Sequence, residues 1–375
     1  MTSAAGASTT PSSGTPNDDG FYLPADDARH AQIWLPWPHE RELQKAAARV
    51  AEIAGRYEPV SLIVSPGAEA AARKACSGAT LVSLRHGSAR LRDIGPSFLV
   101  DGKGGSAAAD WGFSGWGGRA ETGTDSTFAH ELLGYAEVRR FRTPLKLENS
   151  AFVADGEGTL IALAESVFDT ARNPGMTRLE GFAILQRWLG AARVIWLELA
   201  LPDDPLCTEA RALAAFLAPG VVAAATAPDG HPHAEVLKVA RAALARTRDA
   251  AGRVPTLIDL CIPPPVTRNG RVLALSYTNF LAVNGAVLVP VFDASTDDNA
   301  LEVLGRAFPG RVIEPVPALD LAAHGVSLTS LALPQPARLL QRGRATTLPR
   351  SAWAQPVPDV ETILQKYIDM AGGKT

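Results

Sequence analysis

Cysteine is scarce in this chain. Three thiols in 375 residues, Cys76, Cys207 and Cys261, are an odd number with no C-x-x-C spacing. That excludes a disulfide framework and a thiolate zinc site, and it fits a reducing, cytoplasmic compartment. Charge of one sign is lacking too: 36 basic against 39 acidic side chains leave a net charge of −3. Neither nucleic acid nor an anionic membrane is therefore expected as a partner on electrostatic grounds. No run is long and apolar enough for a membrane span, and residues 1–20 are rich in Ser, Thr, Ala, Gly and Pro without an apolar core. They read as a disordered leader rather than a signal peptide. A Gly-rich phosphate loop after a strand and a G-x-S-x-G nucleophile turn are both missing, which removes two common routes to catalysis.

What is present is a soluble composition, 46% hydrophobic and 20% charged, with enough apolar material for a sizeable core. Short β-branched runs, each bounded by Gly, Pro or Asp, recur at 32–37, 61–64, 80–84, 97–100, 159–163, 193–199, 256–262, 272–280, 286–292 and 311–316. Helical spacing lies between them. Glu40 to Tyr57 puts Leu43, Ala47, Val50, Ile53 and Ala54 on one face, and Arg178 to Leu189 and Ala234 to Ala250 behave similarly. Strands alternating with single helices fit an α/β barrel or propeller better than separate domains. Beyond about Arg338 a Pro-containing linker leads to a predicted short helix at Asp359 to Met370, a C-terminal extension over 339–375.

The most informative stretch runs from Arg92 to Gly118. Arg92-Asp93-Ile94-Gly95-Pro96 offers a carboxylate, expected at a strand edge, that could hold a guanidinium by two parallel hydrogen bonds. Asp110-Trp111-Gly112-Phe113-Ser114-Gly115-Trp116-Gly117-Gly118 sets rigid aromatic walls among glycines that allow close backbone approach. Together and in order these resemble the agmatine deiminase and bacterial peptidylarginine deiminase family. The likeness continues through Leu23-Pro24-Ala25, Ile33 to Pro38, Leu147-Glu148, Asp155 to Thr159, Arg172-Asn173-Pro174, Val194 to Leu197, Ser276 to Phe280 and Phe308 to Arg311, over residues 21 to 338. It implies a single-domain five-bladed α/β propeller, the pentein fold, with its site in the central channel. No cofactor is implied.

Deimination requires a soft nucleophile at the guanidinium carbon, carboxylates on its nitrogens and an acid for the departing ammonia. Carried over by position, the resemblance assigns two carboxylate roles to Asp93 and Glu148. It puts Glu209 where the family has His, Arg211 where it has a second Asp, and Leu328, beside Ser327, where it has the nucleophilic Cys. The departure extends to the walls: Asp27 and Arg90 replace tryptophans, and Asn149 and Ser150 replace two glycines. Asp93, Glu148 and Glu209 are thus the candidate acid, base or cation-holding groups, and Arg92, Trp111, Trp116, Arg211 and Asn279 the candidate ligand contacts.

Leucine has no lone pair to attack with. If Arg211 points into the channel, it is expected to pair with Asp93 or Glu148 and fill the guanidinium site as an internal ligand. Two classes of function then stand: a binding or regulatory homologue, or a C–N hydrolase with chemistry rebuilt on the three acids. Expected partners are a small guanidino or amine ligand and a second copy or paralogue of the chain.

Several single residues carry rival readings. A register slip could bring Cys207 into the channel as a substitute nucleophile, but a free Cys after Asp203-Asp204-Pro205 is better read as a small buried hydrophobe. His231, His233 and Glu235 suggest a metal cluster, against which Pro232 and the following pattern favour the start of a helix. His324 could act as an acid or be an exposed loop residue, the preferred reading. Asp155 to Thr159 reads as a hairpin turn, Asn279 and Asn284 as backbone ties, and the tryptophans as core before platform.

Overall fold

Three strands and one helix make the unit from which the molecule is built, and the unit recurs five times. In the computed structural model residues 14–204, 206–268 and 270–338 are described. Strands 97–100, 106–110 and 139–142 form one sheet; 152–154, 159–163 and 193–197 the next; 214–218, 221–226 and 256–261 the third; 281–283, 286–291 and 312–317 the fourth. In each, the first two strands pair antiparallel and the second and third pair parallel. A helix supplies the crossover that a parallel pair needs: Asp125–Tyr135, Arg178–Leu189, Ala234–Arg246 and Asp297–Ala307. The fifth sheet joins the two ends of the fold. Strand 333–336 pairs antiparallel with 30–36, which pairs parallel with 60–64 across helix Arg41–Ala54, and 80–83 adds an outer strand. The result is the expected five-bladed α/β propeller.

A one-turn helical segment leads into the first strand of every blade: Leu91–Ile94, Asn149–Ala151, Ala210–Ala212, Tyr277–Asn279 and Leu328–Leu331. Successive turns touch one another around the centre. Between the last two, Thr329 Oγ1 donates to Asn279 Oδ1 at 3.0 Å. These five turns and the residues just before them, not the strands, carry Asp93, Glu148, Glu209, Arg211, Asn279 and Leu328.

Several expectations need correction. Asp93 sits on the Leu91–Ile94 turn rather than on a strand edge. Residues 14–20, assigned to the leader by composition, form a turn in which Thr15 N and Oγ1 both donate to Asp18, while Asn17 N donates to Arg187 O at 3.0 Å. The run 272–280 is not one strand: only Arg271–Val272 pair, with Thr267–Arg268, and Tyr277–Asn279 coil into a 3-10 turn. The helix expected at 359–370 lies outside the described residues. The hairpin at Asp155 holds, with Asp155 Oδ1 accepting from the backbone of Glu157 and Thr159. So does the helix start at His233, whose ring binds Asp203 at 2.9 Å. Among the described residues no group of His, Cys, Asp and Glu could hold a metal ion, and no helix is long and apolar enough to cross a membrane.

Candidate functional site

An arginine occupies the centre, but not the expected one. Arg90, immediately before the Leu91–Ile94 turn, lies one helical turn from Asp93, and its Nε donates to Asp93 Oδ2 at 2.6 Å. Its Nη2 lies 2.8 Å from Glu209 Oε1 and donates to Thr208 Oγ1 at 2.7 Å; its Nη1 donates to the carbonyl of Gly325. Every nitrogen of this guanidinium therefore has an acceptor. Burial opposes the charge, yet Asp93, Glu209 and Asp204 outweigh it and raise the Arg90 pKa.

Asp93 is already heavily engaged at the centre, accepting three hydrogen bonds. Oδ1 accepts from Ser150 Oγ at 2.5 Å, and Oδ2 accepts from Trp116 Nε1 at 2.9 Å as well as from Arg90. The indole reaches it because Trp116 adopts φ 55°, a left-handed conformation uncommon outside glycine. At the neighbouring Gly115, a Cβ would stand 2.0 Å from Ala120 O, so the bend tolerates no side chain there.

Glu148 belongs to a different pair. Both its oxygens accept from Arg172 Nε, at 3.2 and 3.0 Å, and neither residue's side chain is more than 1% exposed. Arg172 also binds Asp169 and the carbonyl of Leu206. Burial pushes Glu148 up to about 7 against the pull of Arg172, with Asp93 adding to the rise.

Arg211 turns away from both acids. Its Nη2 binds Asp26 Oδ2 at 2.6 Å, and Arg92 Nη1 binds Asp26 Oδ1 at 3.2 Å. Asp26 thus bridges two cations, which hold its carboxyl below the usual range in spite of burial. Arg92 also donates to the carbonyls of Thr329 and Ala332, so it pins the last turn rather than facing a ligand. Trp111 is likewise core: Nε1 donates to Ser97 Oγ and Asn149 Oδ1, and its ring meets Phe152 edge-on.

A cavity of about 510 Å3 opens above Arg90. Of the proposed acids only Glu209 faces it, with Trp116, Asn279 and Ser327. Ser327 Oγ lies 3.2 and 3.3 Å from the Glu209 oxygens and accepts from Ser330 N at 3.0 Å. Burial pushes Glu209 up to about 7; Asp93 and Asp204 reinforce this while Arg90 opposes it. Leu328 is buried in the apolar cluster beneath. Cys207 packs half-buried against the apolar cluster beside the Ala214–Ala218 sheet, outside the cavity lining. Burial and the Glu165 and Asp204 carboxylates push its thiol up to about 11, the reverse of what a nucleophile needs. His324 is an exposed residue at the cavity mouth, its Nδ1 2.8 Å from Asp320 O.

Comparison with known proteins sets these contacts in a family. The model of the Porphyromonas-type peptidyl-arginine deiminases matches residues 22–336. The chain belongs to this agmatine deiminase and peptidyl-arginine deiminase family. An agmatine deiminase of Stutzerimonas stutzeri is 32% identical over 358 residues, covering 86% of this chain and 97% of the relative. An agmatine deiminase of Pseudomonas fluorescens is also 32% identical with the same coverage. Among solved structures, the agmatine deiminase of Enterococcus faecalis superposes with a TM-score of 0.83 at 26% identity, over 87% of this chain and 98% of that one.

Within that family frame, sequence reasoning missed Arg90, Thr208 and Arg172 as centre-filling residues. The signal for Arg90 was available: a cation in place of an aromatic wall residue, three positions from a carboxylate on a short helix.

Proposed function

We propose that this family member does not deiminate agmatine through a thiol and acts instead as a binding or regulatory homologue whose guanidinium site is held by its own Arg90. The contact between Arg90 and Asp93 carries this reading: the carboxylate expected to clamp an incoming guanidinium already clamps an internal one. Three further features support it. The resemblance puts Leu328 at the position of the nucleophile, Arg172 engages both oxygens of Glu148, and Cys207 keeps its proton at neutral pH. Three free thiols fit a cytoplasmic site of action.

The test is ammonia release by the purified full chain from agmatine and from a peptidyl-arginine substrate. No turnover above the no-enzyme control is expected; turnover abolished by Cys207→Ala would overturn the proposal.

One observation favours a second reading, a hydrolase of guanidino compounds with rebuilt non-thiol chemistry. Glu209 titrates near neutral pH beside a hydroxyl in an open cavity, which suits a general base. Turnover that survives Cys207→Ala and disappears in Glu209→Gln would select it.

A further inference from the structure

Once the guanidinium end of the site is filled, the cavity above it is left with an arrangement of its own. The inner end holds Glu209, 6% exposed, and Asn279, 4% exposed. The Asn279 side-chain oxygen is engaged by Thr329, while its amide nitrogen has no acceptor among the described residues. Glu209 retains acceptor capacity on Oε2, whose only contact is the long one to Ser327.

The outer end is formed by the two-residue hairpin Thr267–Arg268 with Arg271–Val272. It brings Arg268 and Arg271 to the cavity mouth, both exposed and neither within ion-pair distance of a carboxylate among the described residues. Of the other acids that line the cavity, Asp203 is engaged by His233 at 2.9 Å and Asp204 accepts from the backbone of Leu206, Thr208 and Glu209, while Glu40 is the remaining one. Leu43, Leu206, Leu273 and Val326 add apolar wall to the same cavity.

We propose that this cavity binds a small zwitterion, a free amino acid with its ammonium at Glu209 and its carboxylate at Arg268 and Arg271. The ammonium then meets the open oxygen of Glu209, the carboxylate meets the arginine pair, and the apolar wall residues cover the methylenes. Asn279 supplies a donor to any oxygen near the inner end. A diamine such as agmatine is disfavoured, because its second cation would meet the arginine pair at the mouth. A plain carboxylate gains nothing at the inner end, where Glu209 Oε2 has room for a donor that it does not carry. The proposal rests on the preceding reading only in that Arg90 must occupy the inner guanidinium site.

Isothermal titration calorimetry of the full chain with 5-aminopentanoate, 1,5-diaminopentane and pentanoate tests it. The amino acid is expected to bind at least about tenfold more tightly than the other two, one factor of ten being the loss of a single modest charge contact. The double variant Arg268→Ala/Arg271→Ala, confined to an exposed hairpin and so without effect on folding, is expected to lose that preference. Equal or tighter binding of the diamine, no binding of the amino acid, or an unchanged preference in the double variant would each overturn it. None of these outcomes alters the deimination assay, so the two readings fail separately.

Discussion

Replacing Arg90 by alanine is the perturbation that bears most directly on the centre of the molecule. It removes the counter-ion from Asp93 and Glu209 and withdraws a donor from Thr208 and from the carbonyl of Gly325. Breaking a buried ion pair from one side costs about 3–5 kcal/mol. Glu209 softens the loss because it already titrates near 7 with the cation present, so without it the carboxyl simply keeps its proton. Asp93 retains its bonds from Trp116 and Ser150, which places the cost toward the lower bound, about 3 kcal/mol. In a chain of this size that corresponds to a fall in Tm of roughly 4 °C.

Because the hole has the shape and charge of a guanidinium, free guanidinium ion should refill it. At ten times its Kd it would restore about 1.4 kcal/mol. The assay is thermal unfolding of parent and variant in dilute guanidinium chloride, well below denaturing concentration, against equal sodium chloride. The variant should gain stability from guanidinium alone and the parent should not. A variant as stable as the parent, or one indifferent to guanidinium, would refute the reasoning.

Further outcomes follow from the same contacts. Glu148 and Glu209 both have folded pKa values raised to about 7 from an ordinary 4.5, so their protonated forms stabilise the fold below about pH 4.5 and that contribution is lost as pH rises through 7. Urea midpoints should therefore fall between about pH 5 and pH 8, and Glu148→Gln should flatten the slope; an unchanged slope would contradict the assignment. Leu328→Cys should release no ammonia from agmatine, since Arg90 still fills the site, and should destabilise by about 1–2 kcal/mol through lost core volume. In a variant with Cys76 and Cys261 replaced by alanine, labelling of Cys207 by a disulfide reagent should accelerate about tenfold per pH unit up to pH 11; a plateau near neutral pH would mean an activated thiol.

The blade architecture was legible only through the motif order. Periodicity found the strands rich in Val and Ile, such as 60–64 and 286–291, but not those built from alanine, 106–110, 214–218 and 221–226. Alanine carries little strand preference, and these strands are buried on both faces, so they show neither β-branching nor alternation. The candidate site was half legible. Asp93, Trp116 and Glu209 do converge, as their positions in the motifs implied. Arg211 did not behave as expected because position along the chain says which turn a residue occupies, not where its long side chain ends. A competing carboxylate on the N-terminal segment, Asp26, captures both Arg211 and Arg92. Glu148 was misjudged for the same reason: its partner Arg172 lies 24 residues away and meets it only in the fold.

The sheet that joins Leu333–Pro336 to His30–Pro36 gives the ring a seam, and a seam dictates the order of assembly. Four blades can close from neighbouring segments as the polypeptide emerges, whereas the fifth must wait for a strand some three hundred residues downstream of its mate. Until then Trp34 and its neighbours present a bare strand edge, the condition in which α/β chains pair with the wrong molecule. Refolding should accordingly be slow at its last step, and a break just ahead of Leu333 should leave the blades intact but the circle open.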